Sequence, residues 1–446
     1  MLVLWISAKR RGRSLGQMAT DEMGKFGGMI LSIFLVVMTA IAMAFLALVA
    51  IKAMAASPWA VFSIGMTIPI ALIMGCYQRF LRPGRVIETT LLGFVLLVLD
   101  IVAGGWIASI PAVAAVFTLD AKQLVIALVI YSFAAAALPH WLLVTPRDYL
   151  STLMKIGTLV LLVIGIIIAN PSVKVPGLTE LASTSTGPTF SGNLFPFLFI
   201  TIACGALSGF HGAVSSGLTP KAVEKENQIR MIGYGSMLVE SFTAVIALIA
   251  AITISQGVYF STNMSAAQIT AASGVSISAT STPGEQADAA VKAVESMKVS
   301  DIEGNQMQVT WDSVDENGAA KTYEGAAALE QAAADIGETS IVSRTGGATT
   351  FAMGMANFLK SYLGGHDWYH FAIMFEALFI LTTVDNGTRV ARYQIGEMLG
   401  NVRKLKKFAD PTWKPGNIIT TLIATALWGG LLWMGVSDAN GGINAM

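Results

Sequence analysis

Apolar residues run along this chain in stretches of about 20, the length that carries a helix across the hydrocarbon core of a bilayer. Such stretches fall at 26–51, 59–78, 89–110, 122–144, 151–169, 194–214, 229–254, 367–386 and 417–437. They predict an all-α polytopic membrane protein with nine transmembrane helices. The loops on one side collect Lys9, Arg10, Arg11, Arg13 and Lys25, then Arg79, Arg82 and Arg85, then Arg147 and Lys155. The same side receives Lys221, Lys225 and Arg230, and the cluster from Arg389 to Lys414, bringing the total to 20 of 28 basic residues. The positive-inside rule makes that side the cytoplasm. The segment Gly346–Gly365, "GGATTFAMGMANFLKSYLGG", is apolar enough to cross, but a crossing there would put Arg389–Lys407 outside. It is therefore expected to be a re-entrant or interfacial helix, with the N-terminal residues cytoplasmic.

From about Gln256 to Arg344 the pattern changes to Ala, Ser, Thr, Asp and Glu with few large apolar residues. Within it "PGEQADAAVKAVESM" has a weak helical period and "NQMQVTWDSVD" alternates as a strand does. The topology makes this block extracytoplasmic, as a small cap or a partly disordered loop. The chain thus divides into about seven transmembrane helices over 1–255, the polar block 256–345, and a re-entrant helix with two transmembrane helices over 346–446.

Composition agrees: 54% of residues are hydrophobic and 13% charged, against about 25% charged in soluble domains. A net charge of +0 offers no basic field for nucleic acid. Cys76 and Cys204 both fall inside apolar stretches and read as small buried hydrophobes rather than a disulfide. There is no G-x-x-x-x-G-K-[ST] motif, so ATP hydrolysis and cofactor chemistry are not expected, and any transport would draw on an ion gradient. "GGHDWYH" spaces His366 and His370 as zinc ligands on a helix are spaced, but Asp367 stands where a metalloprotease has glutamate. No metal site is expected there.

Ionisable groups inside spans are expensive in lipid and mark function by default. Glu240, Glu376 and Asp385 are the candidates for ion coupling. Nine residues separate Glu376 from Asp385, which at about 100° per residue puts them on opposite faces of one helix. Arg389, one turn after Asp385, offers it a local ion pair. Asp100 best fits a structural pair or hydrogen bond to a neighbouring helix. The stretch "CGALSGFHGAVSSGLTPK", Cys204–Lys221, interrupts an apolar run with glycine and serine. Three readings stay open: a broken helix whose free amides face a substrate, close packing through small residues, or an early exit loop. In the first, Ser208, Gly209, Phe210, His211, Ser215 and Ser216 would bind substrate. His211 would shuttle a proton or hydrogen-bond the break. "TPKAVEKENQIR" reads as a following helix with Thr219 as N-cap and Pro220 in its first turn.

Several blocks together, "RFLRPGRV", "PRDYLSTLMKIGT", "FPFLFITIACGALSGFH", "SSGLTPK", "IGYGSMLVESF" and "FEALFILTTVDNGTRVARYQIGEMLGN", strongly resemble the carbon starvation protein A (CstA) family. The likeness covers nearly the whole chain outside 256–345. It implies a proton-coupled transporter of peptides or pyruvate in the bacterial inner membrane, active in carbon starvation. It also implies kinship with the amino acid–polyamine–organocation superfamily, with its inverted repeats and broken helices. Family members carry further helices before "LVLWISAKRRGRSLGQ" and after "GGIN", so the chain is expected to be a segment of a longer protein. In this chain Ser208 to Ser216, Thr219, Pro220 and Lys221 lie in the family's central motif, and Glu240, Glu376, Asp385 and Arg389 in its other shared blocks. The expected partners are the bilayer, a peptide or carboxylate, and a proton or other cation. A starvation-response sensor, with 256–345 reading the ligand, is the alternative.

Overall fold

A computed structural model describes residues 1–55, 57–184, 186–188, 195, 209–278, 281–314, 319–363 and 365–437. Its first part comprises α1 (Leu2–Lys9), α2 (Leu15–Met54), α3 (Pro58–Cys76), α4 (Val86–Ala108), α5 (Pro111–Phe117), α6 (Ala121–Ala137), α7 (Val144–Ala169), α8 (Gly209–Gly217) and α9 (Ser236–Ile252). The polar block holds α10 (Gln256–Asn263), α11 (Ala266–Ser273), α12 (Pro283–Ser296), the strands β1 (Thr310–Val314) and β2 (Ala320–Glu324), and α13 (Gly325–Asp335). The chain then runs through α14 (Ala348–Leu363), α15 (Gly365–Gly400) and α16 (Lys414–Ser437).

Among the described residues seven helical stretches are long and apolar enough to cross a bilayer, and α5 with α6, bent by 63°, gives an eighth. They correspond to eight of the nine expected spans; the ninth, 194–214, lies mostly outside the described residues. Local chemistry sets their ends. Gly24 in α2 adopts φ 80°, which only glycine takes without strain, and it separates a polar first segment from the span. Asp120 and Gln123 cap α6 reciprocally. Leu138, forced extended by Pro139, stops α6 short of the expected residue 144.

The centre of the bundle is α2 lying antiparallel to α15. Gly387 lets the two backbones close up, because a side chain there would strike the Met43 sulfur. α14, the segment expected to be re-entrant or interfacial, is a 16-residue helix, about 24 Å long. It is packed inside the bundle with Phe351, Met353, Met355, Phe358 and Leu359 all buried. α15 is 36 residues long, well beyond the expected 367–386. Arg389 and Arg392, counted above as loop residues, are therefore buried at 4% and 5% exposure, and so is Arg147. Cys76 corrects another expectation, since it lies on an exposed face of α3; Cys204 is outside the described residues.

The polar block is ordered into helices and a hairpin with Trp311 opposite Tyr323. Its core is built mostly of alanines, Ala287, Ala289, Ala290 and Ala293 meeting Ala328, Ala332 and Ala333 around Leu329 and Trp311. Small side chains let these helices approach closely, which is why the sequence looked poor in core-formers. Although burial opposes its charge, Glu338 at 2.9 Å holds the Arg344 guanidinium above its ordinary pKa.

Candidate functional site

Three helices meet around one buried carboxylate. α6 ends at Ala137 because Pro139 follows, and its last carbonyls have no intrahelical donor. Two arginines of α15 supply the missing donors. Arg389 donates to the carbonyls of Ala135 at 2.9 Å and Leu138 at 3.1 Å, and Arg392 to that of Ala136 at 2.8 Å. Cations at a helix C-terminus also meet its negative dipole end. These contacts hold the middle of α15 against α6 and the start of α7.

At that junction Asp385 of α15 and Arg147 of α7 form an ion pair at 3.2 Å, each side chain 1% exposed. Tyr131 of α6 donates its hydroxyl to the same Asp385 oxygen at 2.6 Å. The Arg147 guanidinium donates to the Tyr131 hydroxyl and lies over its ring, 4.7 Å from the centroid. The next residues pair too: Asn386 donates to both oxygens of Asp148, at 3.0 and 3.2 Å. The network is incomplete, however. Asp385 Oδ1 and Arg147 Nε are buried without a partner among the described residues. A buried polar network that is only partly satisfied is costly, because low dielectric penalises each unpaired group.

Arg389 is therefore not the ion-pair partner of Asp385; the local i,i+4 expectation is corrected by Arg147, 238 positions away. Tyr131, Arg147, Asp148, Asn386 and Arg392 were missed as site residues. The available signals were the charged "RD" directly after Pro146 and the polar "DNGTR" within an apolar run.

The other expected residues fall elsewhere. Ser208 lies outside the described residues. Gly209 to Gly217 form the continuous helix α8, with Gly209 against Met38 and Gly212 against Leu15, both on α2. Phe210 packs on the main core. Ser215 is half-buried. Ser216 is buried and accepts the Leu15 amide at 3.2 Å, while Ser7 donates to the Ser216 carbonyl. His211 reaches Glu240 of α9 at 3.5 Å, both side chains 55% exposed. Glu376, half-buried, has no hydrogen bond or ion pair to a described residue. Thus the structure joins His211 to Glu240 and Asp385 to Arg147, and brings neither pair to Glu376. After α8, Thr219 is already helical and donates to the Val214 carbonyl instead of capping. The expected helix from Thr219 is a single turn to Ala222, because Val223 turns extended.

Asp100 of α4 departs most from expectation. It is 4% exposed, and neither carboxylate oxygen has a hydrogen-bond partner among the described residues. The structural pairing expected for it is absent there. His370 of the zinc-like motif stacks on Trp59 at 4.2 Å between ring centroids.

A family model described as "Carbon starvation protein CstA" matches residues 1–319 and 300–446. A Mycobacterium tuberculosis protein named "Peptide transporter CstA" is 49% identical over 450 residues, covering 100% of this chain and 55% of that protein. The Escherichia coli K12 "Peptide transporter CstA" is 44% identical over 449 residues, 100% of this chain and 59% of its own length. The E. coli K12 "Pyruvate/proton symporter BtsT" is 43% identical over 448 residues, 100% of this chain and 60% of its own. The chain spans little more than half the length of these relatives. No solved structure matches.

Proposed function

Because this chain belongs to the carbon starvation protein CstA family, we propose that it forms part of a proton-coupled secondary transporter that imports peptides or small carboxylates such as pyruvate. The transporter would sit in the inner membrane with the basic loops cytoplasmic and block 256–345 outside. The observation that carries this reading is the incomplete Arg147–Asp385–Tyr131 network inside the membrane-spanning bundle.

Charge balance supplies the coupling. With Asp385 ionised, Arg147 is compensated and has no need of a second anion. A proton arriving on Asp385 neutralises it and leaves the guanidinium uncompensated, a state that costs several kcal/mol in a buried site. A substrate carboxylate then takes the place of Asp385 on Arg147, where the planar guanidinium suits it. Departure of the substrate restores the ion pair as the proton leaves. One proton thus accompanies each carboxylate, and Tyr131, bonded to both partners, keeps the two charges in register. Ser208–Ser216 and the Glu240 and Glu376 carboxylates are further candidates for substrate and proton contact in the same reading.

The test uses the full-length protein in proteoliposomes with an imposed inward proton gradient and labelled pyruvate or dipeptide. Asp385→Asn is expected to lose accumulation against a gradient while keeping energy-independent exchange, and Arg147→Met to lose both. No gradient-driven uptake by the wild type, or full accumulation by Asp385→Asn, would refute the proposal. Glu240→Gln and Glu376→Gln assign or dismiss those carboxylates by the same measurement.

A further inference from the structure

We propose that Asp100 is a second proton-binding carboxyl of this chain, buried where α4 packs on α3 and separate from the Arg147–Asp385 pair. α4 turns one narrow face inward, made of Thr89, Gly93, Leu97, Asp100 and Gly104. The glycines set the register with α3. A side chain at Gly93 would meet Met74, and one at Gly104 would meet Trp59 and Ser63. Asp100 lies two turns after Gly93 and one before Gly104, so it faces the part of α3 between Ser63 and Ile70. In that stretch Ser63 and Thr67 are the buried polar side chains, at 1% and 0% exposure. The Ser63 hydroxyl is itself unpartnered among the described residues, and Thr67 donates to the Ile64 carbonyl at 2.6 Å.

Among the described residues no cation answers the carboxylate. α3 from Pro58 to Met74 and α5 carry no ionisable side chain. α7 brings Arg147, Asp148, Tyr149 and Lys155, which are engaged with Asp385, Asn386, Thr90 and the Phe379 ring respectively. The π turn after α3 brings Tyr77, bonded to Glu88, and Arg79, stacked on Trp141. His370 of α15 is stacked against Trp59. A bare carboxylate buried at membrane depth is costly enough that the group neutralises instead. A neutral carboxyl needs one acceptor and tolerates a free oxygen, and the facing stretch of α3 offers the Ser63 and Thr67 hydroxyls as acceptors. The site therefore takes a proton. Asp100 shares no hydrogen bond with Asp385 or its partners, so the two acids titrate as separate sites.

Dicyclohexylcarbodiimide is an apolar reagent that reacts with protonated carboxyls in apolar surroundings and leaves a stable adduct. The full-length protein in native membranes is treated between about pH 5 and about pH 9, digested and read by mass spectrometry at the Asp100 peptide. Labelling at Asp100 is expected at the acid end, falling about tenfold per pH unit beyond its midpoint, with no protection by excess sodium. An unlabelled Asp100 throughout that range overturns the proposal, and so does sodium protection, which would make this a metal-cation site. As a second measurement, the infrared carbonyl absorption of protonated acids should lose one component in Asp100→Asn; an absorption identical to that of the wild type also counts against the assignment. These readouts need no solute movement, so they stand or fall apart from the transport reading.

Discussion

Arg147→Met removes the buried guanidinium and leaves the Asp385 carboxylate with Tyr131 alone. Both partners are 1% exposed at 3.2 Å separation, so solvent offers no replacement. Losing one member of a buried pair costs about 3–5 kcal/mol, because the remaining charge is uncompensated. The carboxylate has one escape, which is to take up a proton. That costs about 1.4 kcal/mol for every pH unit above the ordinary aspartate value of about 3.9. At about pH 7 the escape costs about 4 kcal/mol, comparable with the full penalty; at about pH 5 it costs only about 1.5 kcal/mol. The sign follows directly. The variant's folded state holds a proton that its unfolded state has released, so the variant loses stability as pH rises. Adding Asp385→Leu removes the stranded charge and should restore most of the loss at every pH. Thermal unfolding of the detergent-solubilised full-length protein, followed by the surviving monodisperse fraction, measures the wild type and both variants. The reasoning fails if Arg147→Met melts with the wild type at both pH values, or if the double variant is no more stable than the single one.

Other expectations follow from single contacts. Gly387→Leu forces a side chain into Met43 at the α2–α15 crossing and should destabilise by about 1–3 kcal/mol, read as a lower melting temperature in the same assay. Arg344→Ala strands the buried Glu338 carboxylate at a cost of about 3 kcal/mol, so protease should cut block 256–345 sooner while the helices persist. Hydrogen bonds from the Thr282 amide and hydroxyl hold Glu285 below the ordinary carboxylate range. The cap of α12 is therefore complete at neutral pH and lost as pH falls through that lowered value. Protease resistance of α12 should drop in acid; Thr282→Ala, which keeps the amide, should shrink that pH step, and Glu285→Gln should remove it.

Much of the site escaped a linear reading for a definite reason. Arg147, Arg389 and Arg392 sit at the ends of apolar runs, where a basic residue usually faces water. Burial and exposure of such a residue look the same in one dimension. Only the early stop of α6 at Pro139, which leaves its carbonyls open, and the unbroken length of α15 turn two of these arginines inward. Asp100 differs from expectation for a related reason: a charge within an apolar run implies a partner on a neighbouring helix, and only the packing shows that none of the described residues supplies one.

What the sequence determined by itself is what the solvent imposes locally. Lipid demands about 20 apolar residues per crossing and internal satisfaction of every amide, so eight spans were legible, but not the bend at Gly24 or the stop before Pro139. The helix and the strand of block 256–345 were legible too, from their periods. The tertiary structure alone decided which charges meet. Asp385 finds Arg147 across 238 positions instead of Arg389 across four, and Asp100 finds none of the described residues. Pairing between distant helices depends on their register and close approach, set here by Gly387, Gly93 and Gly104, and a pattern of periods carries no record of it.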